Sequence, residues 1–61
     1  PNGIRFAEVE RVLKHYGYIL DRVKGSHYIF FNEETGDTLP VPKDNPVKAY
    51  IVKQVLKRIG E

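Results

Sequence analysis

Cysteine is absent from this chain of 61 residues, and its absence limits how so small a protein can be stabilised. Neither a disulfide framework nor a metal site built on thiolates is available. A domain of this size buries only roughly 60% of the surface that its unfolded chain exposes, so the core must be small. We therefore expect a single domain, residues 1–61, that is stabilised by packing alone and resides in the reducing cytoplasm.

Long apolar runs are absent as well. No stretch approaches the ~20 apolar residues that a membrane span needs, so a membrane is not expected among the partners. The chain begins with Pro1 rather than methionine. We therefore expect residues 1–5 to be disordered or introduced by cloning, and we assign them no function.

Positive charge exceeds negative charge only slightly, with ten Lys and Arg, eight Asp and Glu and a formal net charge of +2. The acidic residues concentrate in residues 8–10 and 33–37, whereas Arg22 and Lys24 flank a turn. Such asymmetry favours an anionic partner on one side, although a merely solvated charged face is the commoner explanation. The other clustered cations, in the last segment, are Lys48, Lys53, Lys57 and Arg58.

The first helix is predicted from apolar residues that recur at steps of three and four and form one stripe. These residues are Phe6, Val9, Val12, Leu13 and Tyr16. Gly17 can adopt the left-handed conformation that ends a helix. Because Lys14 and His15 complement the negative end of the helix dipole, we interpret His15 as a structural residue rather than a catalytic one.

Two strands joined by a tight turn are predicted next. Residues 18–23 and 27–32 are rich in aromatic and β-branched residues, which favours strands. Only Lys24, Gly25 and Ser26 separate them, and so short a loop requires an antiparallel hairpin. Gly25 supplies the backbone freedom that a bulged three-residue turn needs.

A third strand and a second helix complete the predicted domain. The strand spans residues 38–41, and its prolines place it at a sheet edge because they cannot donate ladder hydrogen bonds. Asp44 or Asn45 is expected to cap a helix whose first position is Pro46. The apolar face of that helix consists of Val47, Tyr50, Ile51, Val55, Leu56 and Ile59.

The predicted order α-β-β-β-α is an α+β fold with a three-stranded antiparallel sheet. Both helices bury their apolar stripes most simply by covering one face of the sheet. His27, Ile29 and Phe31 would then lie on the open face, where exposed apolar residues usually mark a binding surface. The opposite assignment stays open, because both sides of the middle strand are apolar. The residues expected to face the helices are Leu20, Tyr28, Phe30, Leu39 and Val41.

His27, beside Lys24 and Ser26 at the start of the middle strand, is the residue most typical of a reaction site. An imidazole gains or loses a proton near neutral pH. RNA suits this property, because a base can remove the 2′-hydroxyl proton, an acid can protonate the departing 5′-oxygen and a cation can stabilise the phosphate charge. An ordinary strand-end histidine is the alternative, since one histidine without a visible partner is a weak signal.

A series of motifs follows the order of the predicted elements: Gly17-Tyr18, Arg22, Lys24-Gly25-Ser26-His27, Phe30, and Val41-Pro42 before a basic last helix. With these motifs, residues 6–60 resemble the HicA family of toxins, which are mRNA interferases. The resemblance implies a double-stranded-RNA-binding-domain-like fold, endoribonuclease activity on mRNA without a metal or other cofactor, and catalysis by His27. Two positions depart from the family pattern: Tyr28 stands where a second histidine is common, and Phe31 where a polar residue is common.

The resemblance also implies two partners, which are single-stranded or structured RNA and a HicB-like antitoxin protein that covers the active site. Ile29 and Phe31 would suit the antitoxin. A non-catalytic RNA-binding module of the same fold and an adaptor that binds only proteins are the alternatives. The residues expected to bind RNA or support the site are Arg22, Lys24, Gly25, Ser26, Lys48, Lys53, Lys57 and Arg58.

Overall fold

The computed structural model describes residues 3–60, which form two helices and one antiparallel sheet of three strands. The elements are α1 (Phe6–His15), β1 (Tyr18–Lys24), β2 (His27–Asn32), β3 (Thr38–Pro42) and α2 (Ala49–Arg58). The strands lie in the order β1, β2, β3, so β3 is an edge strand, as its prolines predicted. The predicted element order and the α+β class are confirmed. Within residues 3–60, neither helix has the length and apolar character to cross a membrane.

The core lies between the sheet and the helices, and every helix and strand contributes to it. Leu13, Phe30 and Val41 are completely buried. Since the buried residues of both helices join one cluster with those of the sheet, both helices cover the same face, as predicted. The cluster consists of Phe6, Val9, Leu13, Tyr18, Phe30, Leu39, Val41, Val47, Ile51 and Val55.

Four of the five residues predicted to face the helices are packed in or against this core: Tyr28, Phe30, Leu39 and Val41. The ring of Tyr28 is half-buried and meets the ring of Phe6 edge-on, with the centroids 5.0 Å apart. Leu20, the fifth, pairs with Phe30 and therefore points to the same side. It is nevertheless 38% exposed, because β1 lies at a sheet edge.

The start of α2 differs from the prediction, because the helix begins at Ala49 and not at Pro46. Lys48, in an extended conformation, occupies the N-cap position. Asn45, a predicted cap of α2, instead accepts a hydrogen bond from the backbone N–H of Phe6 at 2.8 Å and so caps α1. Capping residues usually lie next to their helix in the sequence, whereas Asn45 lies 39 residues after Phe6.

The residues directly before α1 make defined contacts. The carbonyl of Ile4 accepts a hydrogen bond from the backbone N–H of Val47 at 2.7 Å. The N–H of Arg5 donates to Glu8 Oε1 at 2.9 Å, which satisfies a donor at the start of the helix. Ile4 and Arg5 thus have defined partners in the fold. The expectation that residues 1–5 are disordered or introduced by cloning stays a prediction, and for residues 1 and 2 it lies outside the described residues.

Asn32, at the end of β2, is the one buried polar side chain in residues 3–60. Its Nδ2 donates to the carbonyl of Tyr16 at 3.1 Å, and its Oδ1 accepts from the N–H groups of Glu34 and Thr35 at 2.8 and 3.1 Å. Burying an amide costs free energy unless its polar atoms are hydrogen-bonded, and here both ends are. Asn32 thus ties the α1–β1 connection to the β2–β3 turn.

A cluster of Tyr18, Asp37 and Arg58 joins three parts of the chain at the end of the domain where Asn32 lies. The Tyr18 hydroxyl donates to Asp37 Oδ2 at 2.6 Å, and Arg58 Nη1 donates to Oδ1 and Oδ2 at 2.8 and 2.9 Å. Burial, followed by the hydrogen bond to Asp37, raises the pKa of Tyr18 to about 12. The hydrogen bond from Tyr18 and the charge and hydrogen bond of Arg58 lower the pKa of Asp37, against the opposing effect of burial. The cluster fixes the C-terminal end of α2 to β1 and to the β2–β3 turn.

We expect the free energy of unfolding to decrease at both ends of the pH range because of this cluster. Folding lowers the pKa of Asp37 below its ordinary value of 3.8, so its stabilisation is present above that pH and is lost as the pH falls through the lower folded value. Folding raises the pKa of Tyr18 from 10.0 to about 12, so its stabilisation is present below pH 10.0 and is lost as the pH rises towards 12. Urea unfolding over a pH series measures both losses.

Tyr18→Phe should remove the alkaline loss, since no hydroxyl is left to ionise. Tyr50→Phe is the matched control, because Tyr50 is 57% exposed on α2. Its pH profile should equal that of the parent protein. The same alkaline decrease in Tyr18→Phe as in the parent would contradict the assignment.

Candidate active site on the open face of the sheet

The sheet face that the helices leave uncovered carries His27. Residues paired across neighbouring strands point to the same face, so the strand register assigns three rows of three residues to it. The rows are Lys24, His27 and Pro42; Arg22, Ile29 and Pro40; and Ile19, Phe31 and Thr38. His27, Ile29 and Phe31 therefore share the open face, as the sequence predicted.

The turn that precedes His27 is shorter than predicted. Lys24 pairs with His27 inside the ladder, so Gly25 and Ser26 alone form the loop. Gly25 has a φ of +60°, and no non-glycine residue in residues 3–60 has a positive φ. This is the pattern of a type II′ hairpin turn with glycine first. An added Cβ at Gly25 would meet no atom within 4 Å, so glycine is needed here for its backbone conformation and not for space.

A β-bulge decides which side chains of β1 join the open face. Asp21 is an extra residue without a partner in β2. Strict alternation from the inward-facing Leu20 would turn Arg22 and Lys24 toward the helices. The extra residue reverses the phase, so both cations point to the same side as His27. The bulge also brings Asp21 Oδ2 to 3.2 Å from Nε of Arg22.

The imidazole of His27 is exposed, and it has no hydrogen-bonding or ion-pairing partner among residues 3–60. Its cross-strand neighbours are Lys24 and Pro42, with Cβ atoms about 4.5–5.5 Å away. An unpartnered imidazole can exchange a proton with a bound ligand, and the ammonium of Lys24 adds positive charge beside it. In the described part of the chain, no three His, Cys, Asp or Glu side chains come together to hold a metal ion.

Half of the predicted RNA-binding residues lie near His27 in the structure. The other half lie on α2 or directly before it. The first group lies on β1 and in the turn: Arg22, Lys24, Gly25 and Ser26. The second group lies on or directly before the helix that covers the opposite face of the sheet: Lys48, Lys53, Lys57 and Arg58. Arg58 is additionally held by Asp37 and by the carbonyl of Thr38 at 3.3 Å.

Lys43 is a further cation at the hairpin end of the sheet, and it was not among the residues predicted to bind RNA. Its backbone N–H donates to the carbonyl of Ser26 at 2.8 Å. Its Nζ lies 5.5 Å from the centroid of the Tyr28 ring, within the range of a cation–π interaction. The position of Lys43 follows from the pairing of β2 with β3, which no local sequence motif indicates.

The comparison with known families covers the whole fold. The profile of the family described as HicA toxin of bacterial toxin-antitoxin systems matches residues 6–61, which include both described helices and all three described strands. Searches of curated proteins and of solved structures returned no match. The likeness to double-stranded-RNA-binding domains therefore stays a prediction. The family match extends over nearly the entire chain, and the chain belongs to the HicA family of toxins of bacterial toxin-antitoxin systems.

Proposed function

We propose that the protein is an endoribonuclease that cleaves mRNA and that His27 is its general acid or base. Membership of the HicA family supplies the toxin role. The observation that carries the catalytic assignment is the position of His27, which is exposed on the open sheet face directly opposite Lys24. Histidine is the side chain most often used for proton transfer near neutral pH. His15, the other histidine, lies in the last turn of α1 with its ring against Tyr16.

RNA carries its own nucleophile, so a proton-transferring side chain and a cation are useful in its cleavage. A base removes the 2′-hydroxyl proton, the 2′-oxygen forms a bond to phosphorus, and the bond from phosphorus to the 5′-oxygen breaks. An acid protonates the departing oxygen, which leaves a 2′,3′-cyclic phosphate and a 5′-hydroxyl. In this scheme His27 is the base or the acid, and Lys24 stabilises the negative charge that develops on the non-bridging oxygens.

Phosphate contacts are proposed first for the cations of the open face, Arg22 and Lys24. The turn supports them, because the open space around Gly25 lets a phosphate approach the backbone of Gly25 and Ser26. Three further cations, exposed at α2, would contact an RNA that continues past the sheet edge to the helix layer: Lys48, Lys53 and Lys57. Arg58 belongs to the same group, although its guanidinium also holds Asp37.

A non-catalytic RNA-binding module is the second candidate. It is favoured by one observation, which is that no second acid–base side chain is hydrogen-bonded or ion-paired to His27 within residues 3–60. In such a module His27 would only contact phosphate or 2′-hydroxyl groups. The two candidates share a fold and differ in whether the purified protein shortens RNA.

As a member of a toxin family of toxin–antitoxin systems, the protein has a cognate antitoxin as its partner. We propose that this partner is HicB-like and binds Ile29 and Phe31, which are half-buried on the open face. Since both residues lie on the same strand face as His27, such binding would exclude RNA at the same time. A cytoplasmic location follows from the proposed substrate, mRNA.

His27→Ala should stop RNA cleavage and leave the fold intact, because His27 is exposed and has no partner in the described structure. Loss of a general acid or base typically lowers the rate about 10²- to 10⁴-fold. Incubating RNA with each protein in EDTA, and identifying the ends produced, measures activity, metal dependence and chemistry together. His15→Ala is the matched control and should cut at the parental rate. Cleavage by His27→Ala at the parental rate would remove His27 from the mechanism.

Lys24→Gln should weaken binding to RNA of any sequence, because a phosphate contact reads no base. It should also reduce the slope of log Kd against log salt concentration by about 0.7, the value of one phosphate contact on a single strand. Lys57→Gln, on the helix layer, is the matched comparison and should change the slope less. Fluorescence anisotropy over a salt series gives both slopes. A larger effect at Lys57 would move the phosphate path to α2.

Phe31→Ser should weaken the complex with a HicB-like antitoxin and leave the melting temperature nearly unchanged. Burying one large apolar side chain contributes about 1.5–3 kcal/mol before the costs of binding are subtracted, so Kd should rise about tenfold or more. Phe30→Ser is the matched control on the opposite face, where Phe30 is completely buried. It should lose about 3–5 kcal/mol of stability. Unfolding of Phe31→Ser with unchanged affinity per folded molecule would contradict this antitoxin site.

A further inference from the structure

Phe31 lies at the end of the open face away from the hairpin, and it is the only benzene ring in the three rows. Its row neighbours are Ile19 on β1 and Thr38 on β3. Ile19 is 45% exposed and Phe31 is half-buried, so the ring has a cross-strand neighbour on each side and still reaches the surface. Rings held on a sheet in this way are platforms on which unpaired nucleobases stack.

The charge of the open face suits a polyanion. Its rows contain two fully charged residues, Arg22 and Lys24, which lie on β1 near the hairpin, and none of the three rows contains a carboxylate. Asp21, the unpaired bulge residue, has its carboxylate 3.2 Å from Nε of Arg22 and so offsets part of that charge. The phosphates of a bound strand would therefore follow β1, and its bases would lie over the apolar middle of the face.

Phe31 lies several residues along β2 from His27, where the phosphate would react. Phe31 follows His27 by four positions, which is about 13 Å of strand, and both side chains point to the same face. An RNA whose phosphate reacts at His27 would therefore present to Phe31 a base that flanks the reacting step. Stacking requires an unpaired base, which an intact RNA duplex does not offer to a sheet surface.

We propose that Phe31 forms a nucleobase-stacking subsite beside His27 and that the protein consequently acts on single-stranded RNA. The subsite rests on the proposed function, because it takes RNA as the ligand of the open face. Stacking at a distance from the reacting bond stabilises the bound ground state and the transition state alike. Its loss should raise KM and leave kcat unchanged.

RNA binding in a His27→Ala background tests the subsite without cleavage. Phe31→Leu keeps apolar volume but removes the ring, so it should raise the Kd for a labelled single-stranded oligoribonucleotide about 5-fold or more. Phe31→Tyr should restore the affinity. Tyr50→Leu removes a ring that is 57% exposed on α2 and should not change the Kd. When the same oligoribonucleotide is annealed to its complement, Phe31→Leu should bind it as the background protein does.

An unchanged Kd in Phe31→Leu, or an equal rise for single-stranded and annealed RNA, would overturn the subsite. If Phe31→Leu then weakened only the binding of a HicB-like antitoxin, Phe31 would contact the partner protein and not RNA. Cleavage kinetics give a second criterion, since Phe31→Leu should raise KM on a long RNA but not on the shortest fragment that the parent cuts. A lower kcat on both would also overturn the subsite. If the parent cuts no RNA, the proposed function fails, and the Kd comparison still decides the subsite.

Discussion

The alternation of side chains along a strand, with a period of two, is the constraint on which the open face depends. Asp21 has no partner in β2 and shifts this alternation by one position. Arg22 and Lys24 consequently point to the same side as His27. In a regular strand both cations would point toward the helices, where water could not solvate them as well. A single unpaired residue at a sheet edge thus determines that the site is cationic.

The open face depends secondly on the helix layer, because both helices cover one face of the sheet and leave the other face in water. Both helices are held by contacts distant in sequence. Asn45 caps α1 from the loop before α2, and Arg58 holds the end of α2 to Asp37. Asn32 fixes the end of β2 to the two connections beside it. These polar contacts lie at the margins of a small core and keep the sheet, and with it the open face, in one arrangement.

Family membership gives a reason for the apolar residues that this arrangement leaves partly exposed. A toxin that is paired with an antitoxin needs a surface that a protein can bind, and a ribonuclease needs a surface that RNA can bind. On the two proposals, Ile29 and Phe31 bind the antitoxin beside His27, and Phe31 also stacks on a nucleobase. The net charge of +2 says less about function than the positions of individual cations do. Arg22 and Lys24 are the charged residues that share the open face with the imidazole of His27.

The sequence by itself determined the order of the elements and the edge position of β3. It favoured the open face for His27 without deciding it, because both sides of β2 are apolar. These features follow from local physics, since apolar periodicity, proline and glycine act within a few residues. It also singled out His27 with Lys24, and the family profile matches the same stretch of chain. The catalytic and RNA-binding roles of these residues stay predictions.

Tertiary structure decided the features that depend on contacts between distant residues. Pairing with β2 revealed the unpaired Asp21 and the two-residue turn, neither of which β1 alone could show. Asn45 lies just before α2 in the sequence, and only the packing of its loop against the start of α1 makes it a cap of α1. Arg58 reads as one of several exposed cations in the sequence, but it holds Asp37 in the fold. The physical reason is the same in each case: a local pattern specifies the conformation of a segment, whereas the partner of each side chain depends on how the segments pack.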